Sequence, residues 1–272
     1  MTQEPGLDGK WALILGASSG FGGAAARAFA NAGMNVFGVH LDRRATQASV
    51  DAITSDIEAA GRQAVFFNMN AADETKRRAA LDEMRSKLDA DGGESSVRIL
   101  MHSLAFGTLG PYVPTDGTER QITQRQLEMT LDVMANSLVY WTQEMIDRDL
   151  LARGSKVYGM TSAGDARVIP QYAAVSAAKA TLGSHLRQLA VELAPLGIAA
   201  NAIKAGVTQT PALEKIPSAK ALMDFAKDHN PSGRVTTPED VAETIIRLSI
   251  QDSNWLTGNT INVDGGEDIV VV

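Results

Sequence analysis

The stretch Trp11-Ala-Leu-Ile-Leu15, followed at once by Gly16-Ala-Ser-Ser-Gly20-Phe-Gly22, decides the fold class of this chain. The apolar run predicts a buried strand, and the three glycines predict a tight turn that opens a helix over Gly23–Ala32. Glycine allows the backbone to approach a pyrophosphate closely, and the positive end of a helix attracts its charge. The order of strand, glycine turn and helix therefore predicts a nucleotide-binding unit rather than a plain turn.

Six further apolar runs, most of them separated by helix-length amphipathic segments, continue this pattern. They are Asn35–Val39, Ala64–Asn68, Val97–Met101, Lys156–Met160, Ile198–Ile203 and Thr260–Val263. The runs lack polar alternation, which is typical of parallel strands covered on both faces. The sequence therefore predicts an α/β protein: a single Rossmann-type, doubly wound domain over residues 1–272, with a seven-stranded parallel sheet flanked by helices. Residues 211–235, bounded by prolines, are predicted to form a substrate-binding insert within it.

The composition narrows the class of protein. Hydrophobic residues make up 44% and charged residues 21% of the chain, which is ordinary for a globular protein. The net charge of −7 argues against nucleic acid as a partner, because such binding depends on neutralising phosphates. The chain has no cysteine and its four histidines show no ligand spacing, so no metal site is expected. The polar N-terminal segment and the lack of a long apolar run predict no signal peptide, no membrane association and a cytoplasmic location.

Tyr172 and Lys179 are the strongest chemical signal in the chain. They lie seven residues apart, at the predicted start of a long helix. Seven residues advance a helix by about 10 Å and return almost to the same face, so the phenol and the ammonium are not expected to bond each other directly. They can converge on a ligand that lies along the helix. Together with the glycine turn, this pair indicates hydride transfer with a nicotinamide cofactor.

The end of the second predicted strand, Val39-His40-Leu41-Asp42-Arg43-Arg44, bears on the choice of cofactor. An acid about 20 residues after the glycines would bond the ribose 2′-hydroxyl of NAD, whereas a nearby arginine would accept the 2′-phosphate of NADP. Asp42 offers the first contact, and Arg43 and Arg44 offer the second, with His40 beside them. Three cations outweigh one carboxylate, so NADPH is the expected cofactor and NADH is the alternative.

With these residues in view, the chain resembles the short-chain dehydrogenases/reductases over nearly its whole length. Asn201-Ala-Ile-Lys-Ala-Gly206-Val207-Thr-Gln-Thr210 resembles the family segment that cups the nicotinamide carboxamide and the pyrophosphate. Val263-Asp264-Gly265-Gly266 resembles the family's last strand and turn. The resemblance, with the turn and the strand end above, implies cofactor binding by Gly16, Ser18, Ser19, Gly20, Phe21, Gly22, His40, Arg43, Arg44, Asn70, Ala71, Ser103, Leu104, Ala105, Lys179, Gly206, Val207 and Thr210.

The spacing of the tyrosine and the lysine narrows the resemblance further. Most of that family carries Tyr-x-x-x-Lys, but here Ser176 stands at that place and the lysine follows at 179. Tyr-x6-Lys is the spacing of enoyl-acyl-carrier-protein reductases, and His102-Ser-Leu-Ala-Phe106 is similar to the His-Ser-Ile-Ala-Phe of their main group. That group has a longer nucleotide turn, and a second tyrosine where this chain has Ser162. The ordinary glycine turn, Ser162 and the Tyr-x6-Lys spacing together resemble the FabL-type, or type III, enoyl reductase.

This resemblance implies reduction of the C=C bond of trans-2-enoyl thioesters on acyl carrier protein or coenzyme A, as in fatty-acid elongation, with Tyr172, Lys179 and Ser162 as catalytic residues. The chemistry agrees, because charge collects on the thioester oxygen as an enolate, and a phenol need only hydrogen-bond that oxygen. Many ketoreductases of the family use an asparagine in a proton relay, where this chain has Met134. A ketone or 3-oxoacyl oxidoreductase and a non-catalytic NAD(P)-sensing protein are the alternatives.

Two further expectations concern the substrate and the assembly. Apolar residues of the 211–235 insert are predicted to cover the acyl chain: Leu213, Ile216, Leu222, Met223 and Phe225. The slight excess of basic side chains in that insert would suit an acidic carrier protein. The family resemblance implies a homotetramer, or a dimer, built through the helices around 124–148 and 172–195.

Overall fold

The computed structural model describes residue 4 and residues 6–92, 96–115, 117 and 120–270. Within these residues, seven parallel strands form one sheet in the order β3-β2-β1-β4-β5-β6-β7. The strands are β1 (Trp11–Leu15), β2 (Asn35–His40), β3 (Ala64–Asn68), β4 (Val97–His102), β5 (Lys156–Thr161), β6 (Ala199–Ala205) and β7 (Thr260–Val263). The seven-stranded parallel sheet is confirmed. The largest difference from the predicted bounds is in β6, which continues to Ala205 because that residue still pairs with Val263 of β7.

Helices cover both faces of the sheet, as the doubly wound prediction requires. They are α1 (Gly20–Asn31), α2 (Gln47–Ala59), α3 (Glu74–Ala90), α4 (Gln124–Leu131), α5 (Ser137–Ile146), α6 (Ala173–Leu193), α7 (Ala219–His229) and α8 (Pro238–Ser249). Buried residues of α1, α2 and α8 pack on one face, and those of α3, α5 and α6 pack on the other. A π-helical segment, Asp132–Asn136, joins α4 to α5 and was not expected from the sequence. Such segments occur often at functional sites.

The central strands are buried along their whole length. Every residue of β1, β2, β4 and β5 is buried, because helices lie against both faces. This explains why the strand sequences are apolar without alternation. The rings of Trp11 and Phe37 stack with their centroids 4.0 Å apart and tie β1 to β2 inside the core.

The helix ends follow from local sequence. The Thr237 side chain accepts a hydrogen bond from the Asp240 amide, and the Asp240 carboxylate accepts one from the Thr237 amide, with Pro238 at the first helical position of α8. This capping box satisfies amide groups that have no partner within the helix. After α6 the chain makes a short 3₁₀ turn, and Gly197 then adopts a left-handed conformation with φ of 75°, which suits glycine. Both helix boundaries therefore follow from residues at the helix ends themselves.

The strand order reverses next to β1, which lies between β2 and β4. In open α/β sheets, ligands bind at the carboxyl ends of the strands at such a point. Three segments leave the sheet at these carboxyl ends: the glycine turn after β1, the segment after β4 and the segment after β6. The predicted insert follows β6 and contains a 3₁₀ turn, Leu213–Lys215, and α7. In the part of the chain that the structure describes, no helix combines the length and apolar character needed to cross a membrane.

Candidate active site

The glycine turn forms a cradle that only glycine can make. Gly16 has a φ of 95° and Gly20 a φ of 52°, both in the left-handed region. A Cβ atom on Gly16 would lie 2.5 Å from the carbonyl oxygen of Ser103, and one on Gly22 would lie 2.0 Å from the carbonyl oxygen of Gly16. The Gly16 amide donates to the carbonyl of Val39 at 2.8 Å, which fixes the turn against β2. The bare backbone at the start of α1 therefore fits the pyrophosphate of a dinucleotide.

Other predicted cofactor residues lie around this cradle. Ser19 is the extended residue that precedes α1, and the neighbouring Ser18 contacts the start of α2 through the Ser49 hydroxyl, which donates to the Ser18 carbonyl at 2.9 Å. The Ser103 amide donates to the carbonyl of Leu15 at 2.8 Å, so the segment after β4 runs beside the turn. Phe21, Leu104 and Ala105 continue these same segments, Phe21 packing partly into the core.

The segment after β6 reaches the same cradle. A Cβ atom on Gly20 would lie 3.5 Å from Cγ2 of Thr210, so the two cofactor segments predicted from distant parts of the sequence meet. Gly206 is closely packed, since a Cβ atom there would lie 2.4 Å from Oγ1 of Thr236. The amide of Val207 donates to both carboxylate oxygens of Glu267, at 3.1 and 3.3 Å. Glu267 was not predicted, because its partner lies 60 positions away in the sequence.

The end of β2 places Asp42 beside the glycine turn. Nδ1 of the buried His40 lies 3.1 Å from Oδ2 of Asp42 and donates to it. Partial burial opposes ionisation of Asp42, but hydrogen bonds from Thr46, Ser18 and His40 outweigh it and lower the pKa of the carboxyl. Asp42 is therefore an ionised carboxylate, held by the His40 imidazole at the end of β2.

Arg43 and Arg44 follow Asp42 directly, at the carboxyl end of β2, and face solvent. Both are exposed, and Arg44 begins the 3₁₀ turn that leads into α2. Asn70 and Ala71 occupy the corresponding position after β3. The side chain of Asn70 accepts from the Ala72 amide at 3.0 Å, and the carbonyl of Ala71 accepts from the Trp141 indole at 2.9 Å. The structure thus brings the predicted cofactor residues together at the carboxyl ends of the strands.

Lys179 is almost fully buried, in the first half of α6, with its side chain directed at β5. Its Nζ donates to the carbonyl of Met160 at 2.7 Å. Burial lowers the pKa of the ammonium to about 8, against an opposing effect of the Asp165 carboxylate. Asp165 itself lies 2.9 Å from Nζ of Lys204 and accepts from the Thr161 hydroxyl at 3.2 Å. Sequence reasoning missed Asp165, although its position three residues after Ser162 was a visible signal.

Tyr172 immediately precedes α6, with its ring close to a glycine. A Cβ atom on Gly164 would lie 2.8 Å from the ring, so only glycine leaves room for it. Burial raises the pKa of the Tyr172 phenol, and the nearby Ser162 hydroxyl partly opposes this. Ser162 Oγ is buried and makes no hydrogen bond of standard geometry within the described residues. Ser176 stands at the position of the lysine in the common Tyr-x-x-x-Lys spacing. Its hydroxyl donates to the Gly164 carbonyl and fixes this turn.

The segment after β4 is bonded to the backbone on both sides of Tyr172. The Gly110 amide donates to the carbonyl of Gln171 at 2.8 Å, and the Tyr112 hydroxyl donates to the carbonyl of Ala173 at 3.0 Å. Met134 is buried against the same segment, since a Cβ atom on Gly107 would lie 2.8 Å from its sulfur. The predicted relay position therefore holds an apolar side chain in the structure.

The chain is similar to known proteins in both sequence and fold. A sequence model of the family described as enoyl-(acyl carrier protein) reductase matches residues 16–267. The enoyl-[acyl-carrier-protein] reductase [NADH] of Aquifex aeolicus is 30% identical over 177 residues, which cover 65% of this chain and 64% of that protein. L-xylulose reductase of Bos taurus is 28% identical over 266 residues, 96% of this chain and 97% of that protein. The enoyl-acyl carrier protein reductase structure of Bacillus cereus covers 100% of both chains with a TM-score of 0.85 at 22% identity, a likeness of fold.

Proposed function

Because the chain belongs to the enoyl-(acyl carrier protein) reductase family of short-chain dehydrogenases/reductases, and is thus an NAD(P)-dependent oxidoreductase, we propose that it reduces the C=C bond of trans-2-enoyl thioesters. The acyl group is carried on acyl carrier protein or coenzyme A, and the reaction serves fatty-acid elongation in the cytoplasm. The FabL-type resemblance of the Tyr-x6-Lys spacing supports this choice among the reactions of the family.

The observation that carries the proposal is that the phenol and the lysine ammonium have different neighbours. Lys179 donates to the carbonyl of Met160, whereas the Tyr172 ring packs on Gly164 beside Ser162. Because burial raises the pKa of Tyr172, the phenol keeps its proton near neutral pH. A protonated phenol is suited to donate a hydrogen bond to a developing enolate oxygen. A phenol that must release its proton to an alkoxide is better served by an adjacent ammonium and a relay.

Each residue of the site has a distinct role in the proposed reaction. A reduced nicotinamide cofactor, when bound, supplies a hydride to the β-carbon of the enoyl thioester. Tyr172 donates a hydrogen bond to the thioester oxygen, on which the negative charge collects, and Ser162 offers a second hydroxyl at that place. Lys179 would hydrogen-bond the cofactor ribose, and its positive charge would contribute to the electrostatic potential of the site. The α-carbon then takes a proton from solvent, which completes the saturated thioester.

The alternative is reduction of a ketone or a 3-oxoacyl thioester. The full-length likeness to L-xylulose reductase, a sugar reductase by name, is the observation in its favour. The buried Met134 opposes it, because a thioether cannot relay protons to the phenol. The two are separated by following NADPH oxidation with crotonyl-coenzyme A and, separately, with acetoacetyl-coenzyme A. Faster turnover of acetoacetyl-coenzyme A would overturn the proposal.

We expect NADPH to be preferred over NADH. The Asp42 carboxylate already accepts a hydrogen bond from His40 at 3.1 Å, which takes one of the positions that a ribose hydroxyl could use. Arg43 and Arg44 are exposed at the same edge and can bond a 2′-phosphate. Replacing both with alanine should raise the KM for NADPH by about tenfold or more, since each charged hydrogen bond contributes strongly, and should change the KM for NADH much less.

The matched control for this prediction is Arg78→Ala, which removes another exposed arginine, one that pairs with Glu74 on α3. It should leave both Michaelis constants unchanged. A severalfold preference of the unaltered enzyme for NADH would show that Asp42 decides the cofactor and that the NADPH prediction is wrong.

The 211–235 insert is proposed to close over the substrate. Ile216 is buried, but Leu213, Leu222 and Met223 are only partly buried and Phe225 is exposed, stacked on His229. Apolar side chains of this kind are available for burial by an acyl chain. Hydrogen exchange in residues 211–235 should slow when NADPH and a saturated acyl thioester are added, because closure excludes water. Equal protection with and without ligands, measured beside the buried β4 as reference, would show a fixed wall.

The excess of basic side chains in the insert is weaker support for a carrier-protein partner than the sequence suggested, because some of these charges are paired within the chain. Arg234 makes a bidentate pair with Asp240, and Lys220 pairs with Asp224 one helical turn away. Their charges are therefore partly compensated within the chain. Kinetics with the same acyl group on acyl carrier protein and on coenzyme A distinguish the two carriers.

A homotetramer, or a dimer, remains our proposal for the assembly. Of the alanines on α6, Ala174 and Ala178 are fully buried within the chain, which assigns them to the core. Ala173 and Ala177 are partly exposed, and Val191 is exposed at the far end of the same helix. Light scattering at micromolar concentration should give a mass of two or four chains; the mass of a single chain would contradict the proposal.

A further inference from the structure

The ammonium of Lys179 has three hydrogen-bond donors, but its only acceptor among the described residues is the Met160 carbonyl. An ammonium carries three N–H groups, and the Met160 carbonyl accepts one of them at 2.7 Å. Lys179 is only 6% exposed, so little solvent is available for the remaining donors. Burying a charge without partners is costly, and a nearby acceptor would stabilise the charged form.

His102 offers such an acceptor, and its tautomer follows from the surrounding bonds. The Ser137 hydroxyl has one hydrogen, which it donates to the Val133 carbonyl at 2.8 Å. His102 Nε2 lies 2.9 Å from the same hydroxyl oxygen and must therefore be the donor of that pair. Burial lowers the pKa of the imidazole to about 3, with a further contribution from Lys179, so the ring is neutral. Nδ1 then carries no hydrogen and is a bare acceptor.

The position of that acceptor is unusual. Nδ1 of His102 is fully buried and has no hydrogen-bond partner among the residues that the structure describes. Buried polar atoms in native proteins are nearly always paired, so an unpaired one points to a missing interaction. His102 ends β4, its Cα pairs in register with Gly159, and Gly159 is followed directly by Met160, the residue that binds Lys179. The bare nitrogen therefore belongs to β4, one register position from the β5 carbonyl that binds the ammonium of Lys179 on α6.

We propose that His102 is a positioning residue for Lys179, with its Nδ1 lone pair accepting a hydrogen bond from one enclosed water that in turn accepts a hydrogen bond from the ammonium. Ser137 serves by fixing the tautomer, and the π-helical segment before it supplies the Val133 carbonyl that orients Ser137. Asp165 and His185 are the other titratable groups whose charge reaches this pair. The inference rests on the cofactor-holding role given to Lys179 under the proposed function.

Two variants test the inference on different atoms. His102→Phe keeps a ring but removes the acceptor, and Ser137→Ala removes the hydroxyl that fixes the tautomer. Thr142→Val is the matched control, because Thr142 is equally buried on the same helix and also donates to the carbonyl four residues before it, at 2.8 Å. The readouts are the pKa of Lys179, from NMR of isotope-labelled lysine, and the Kd of NADPH from pH 6 to 9.

Both test variants should lower the pKa of Lys179 and weaken NADPH binding at pH 8 by about tenfold, with a smaller effect at pH 6, since a hydrogen bond to a charged group is lost. Thr142→Val should match the unaltered protein. An unchanged Lys179 pKa in folded His102→Phe would overturn the proposal. If that variant does not fold, nitrogen NMR of His102 in the unaltered protein decides, because a hydrogen on Nδ1 would overturn it equally. None of these readouts needs a substrate, so they are independent of whether enoyl thioesters are reduced.

Discussion

Replacing Tyr172 with phenylalanine should lower kcat for crotonyl-coenzyme A about 100-fold, because one hydrogen-bond donor to the developing enolate is removed, a loss of about 3 kcal/mol. The Kd of NADPH should stay nearly the same, since the ring still packs on Gly164 and the lost hydroxyl is expected to contact the substrate. Stopped-flow reduction and a fluorescence titration of NADPH measure the two quantities separately.

The control for this substitution is Tyr140→Phe. Tyr140 lies on α5, where its hydroxyl donates to Asp132 at 2.9 Å, and it has no role in the proposed chemistry. It should show full activity. A Tyr172→Phe enzyme with the same kcat as the unaltered enzyme would remove Tyr172 from the catalytic residues.

Replacing Lys179 with methionine should weaken NADPH binding and turnover together, while raising the stability of the protein near neutral pH. The folded pKa is lowered to about 8 from 10.5 in the unfolded chain, so unfolding takes up a proton between these values. The buried ammonium therefore opposes folding most strongly below pH 8, by up to roughly 3 kcal/mol, and this penalty disappears as the pH rises to 10.5. Methionine has similar length and carries no charge.

The pH dependence makes this prediction specific. In the unaltered enzyme, the Kd of NADPH should increase as the pH rises through about 8, because Lys179 loses its charge. The Lys179→Met enzyme should lack this inflection and should have a higher Tm at pH 7. A lower Tm in a folded Lys179→Met protein, with unchanged NADPH binding, would mean that Lys179 is a structural residue with a satisfied charge.

The fold could be predicted from the sequence because its signals are local. Apolar runs such as Trp11–Leu15 identify buried strands, and Thr237-Pro238 identifies a helix start, with no knowledge of the rest of the chain. The π-helical segment Asp132–Asn136 could not be predicted in this way, because no glycine or proline marks it. It arises from packing: Ser137 bonds His102 on one side, and Asn136 contacts His185 of α6 at 3.1 Å on another.

The candidate site was only partly visible in the sequence. The glycine turn and the Tyr172–Lys179 spacing carry their chemistry within a few residues. Asp165 and Glu267 act on distant partners, Lys204 and Val207, and no periodic pattern reports such contacts. The tautomer of His102 likewise depends on a hydroxyl 35 positions away. Electrostatic relations between elements required the three-dimensional structure.

The most direct test of the central claim is to supply the enzyme with NADPH deuterated at the transferable position and an equimolar mixture of crotonyl-coenzyme A and acetoacetyl-coenzyme A. We predict that mass spectrometry and proton NMR will find butyryl-coenzyme A with deuterium at its β-carbon as the main product. Its formation would place the hydride on the carbon–carbon double bond. A labelled 3-hydroxybutyryl-coenzyme A formed in place of butyryl-coenzyme A would contradict the account and establish a ketone reductase.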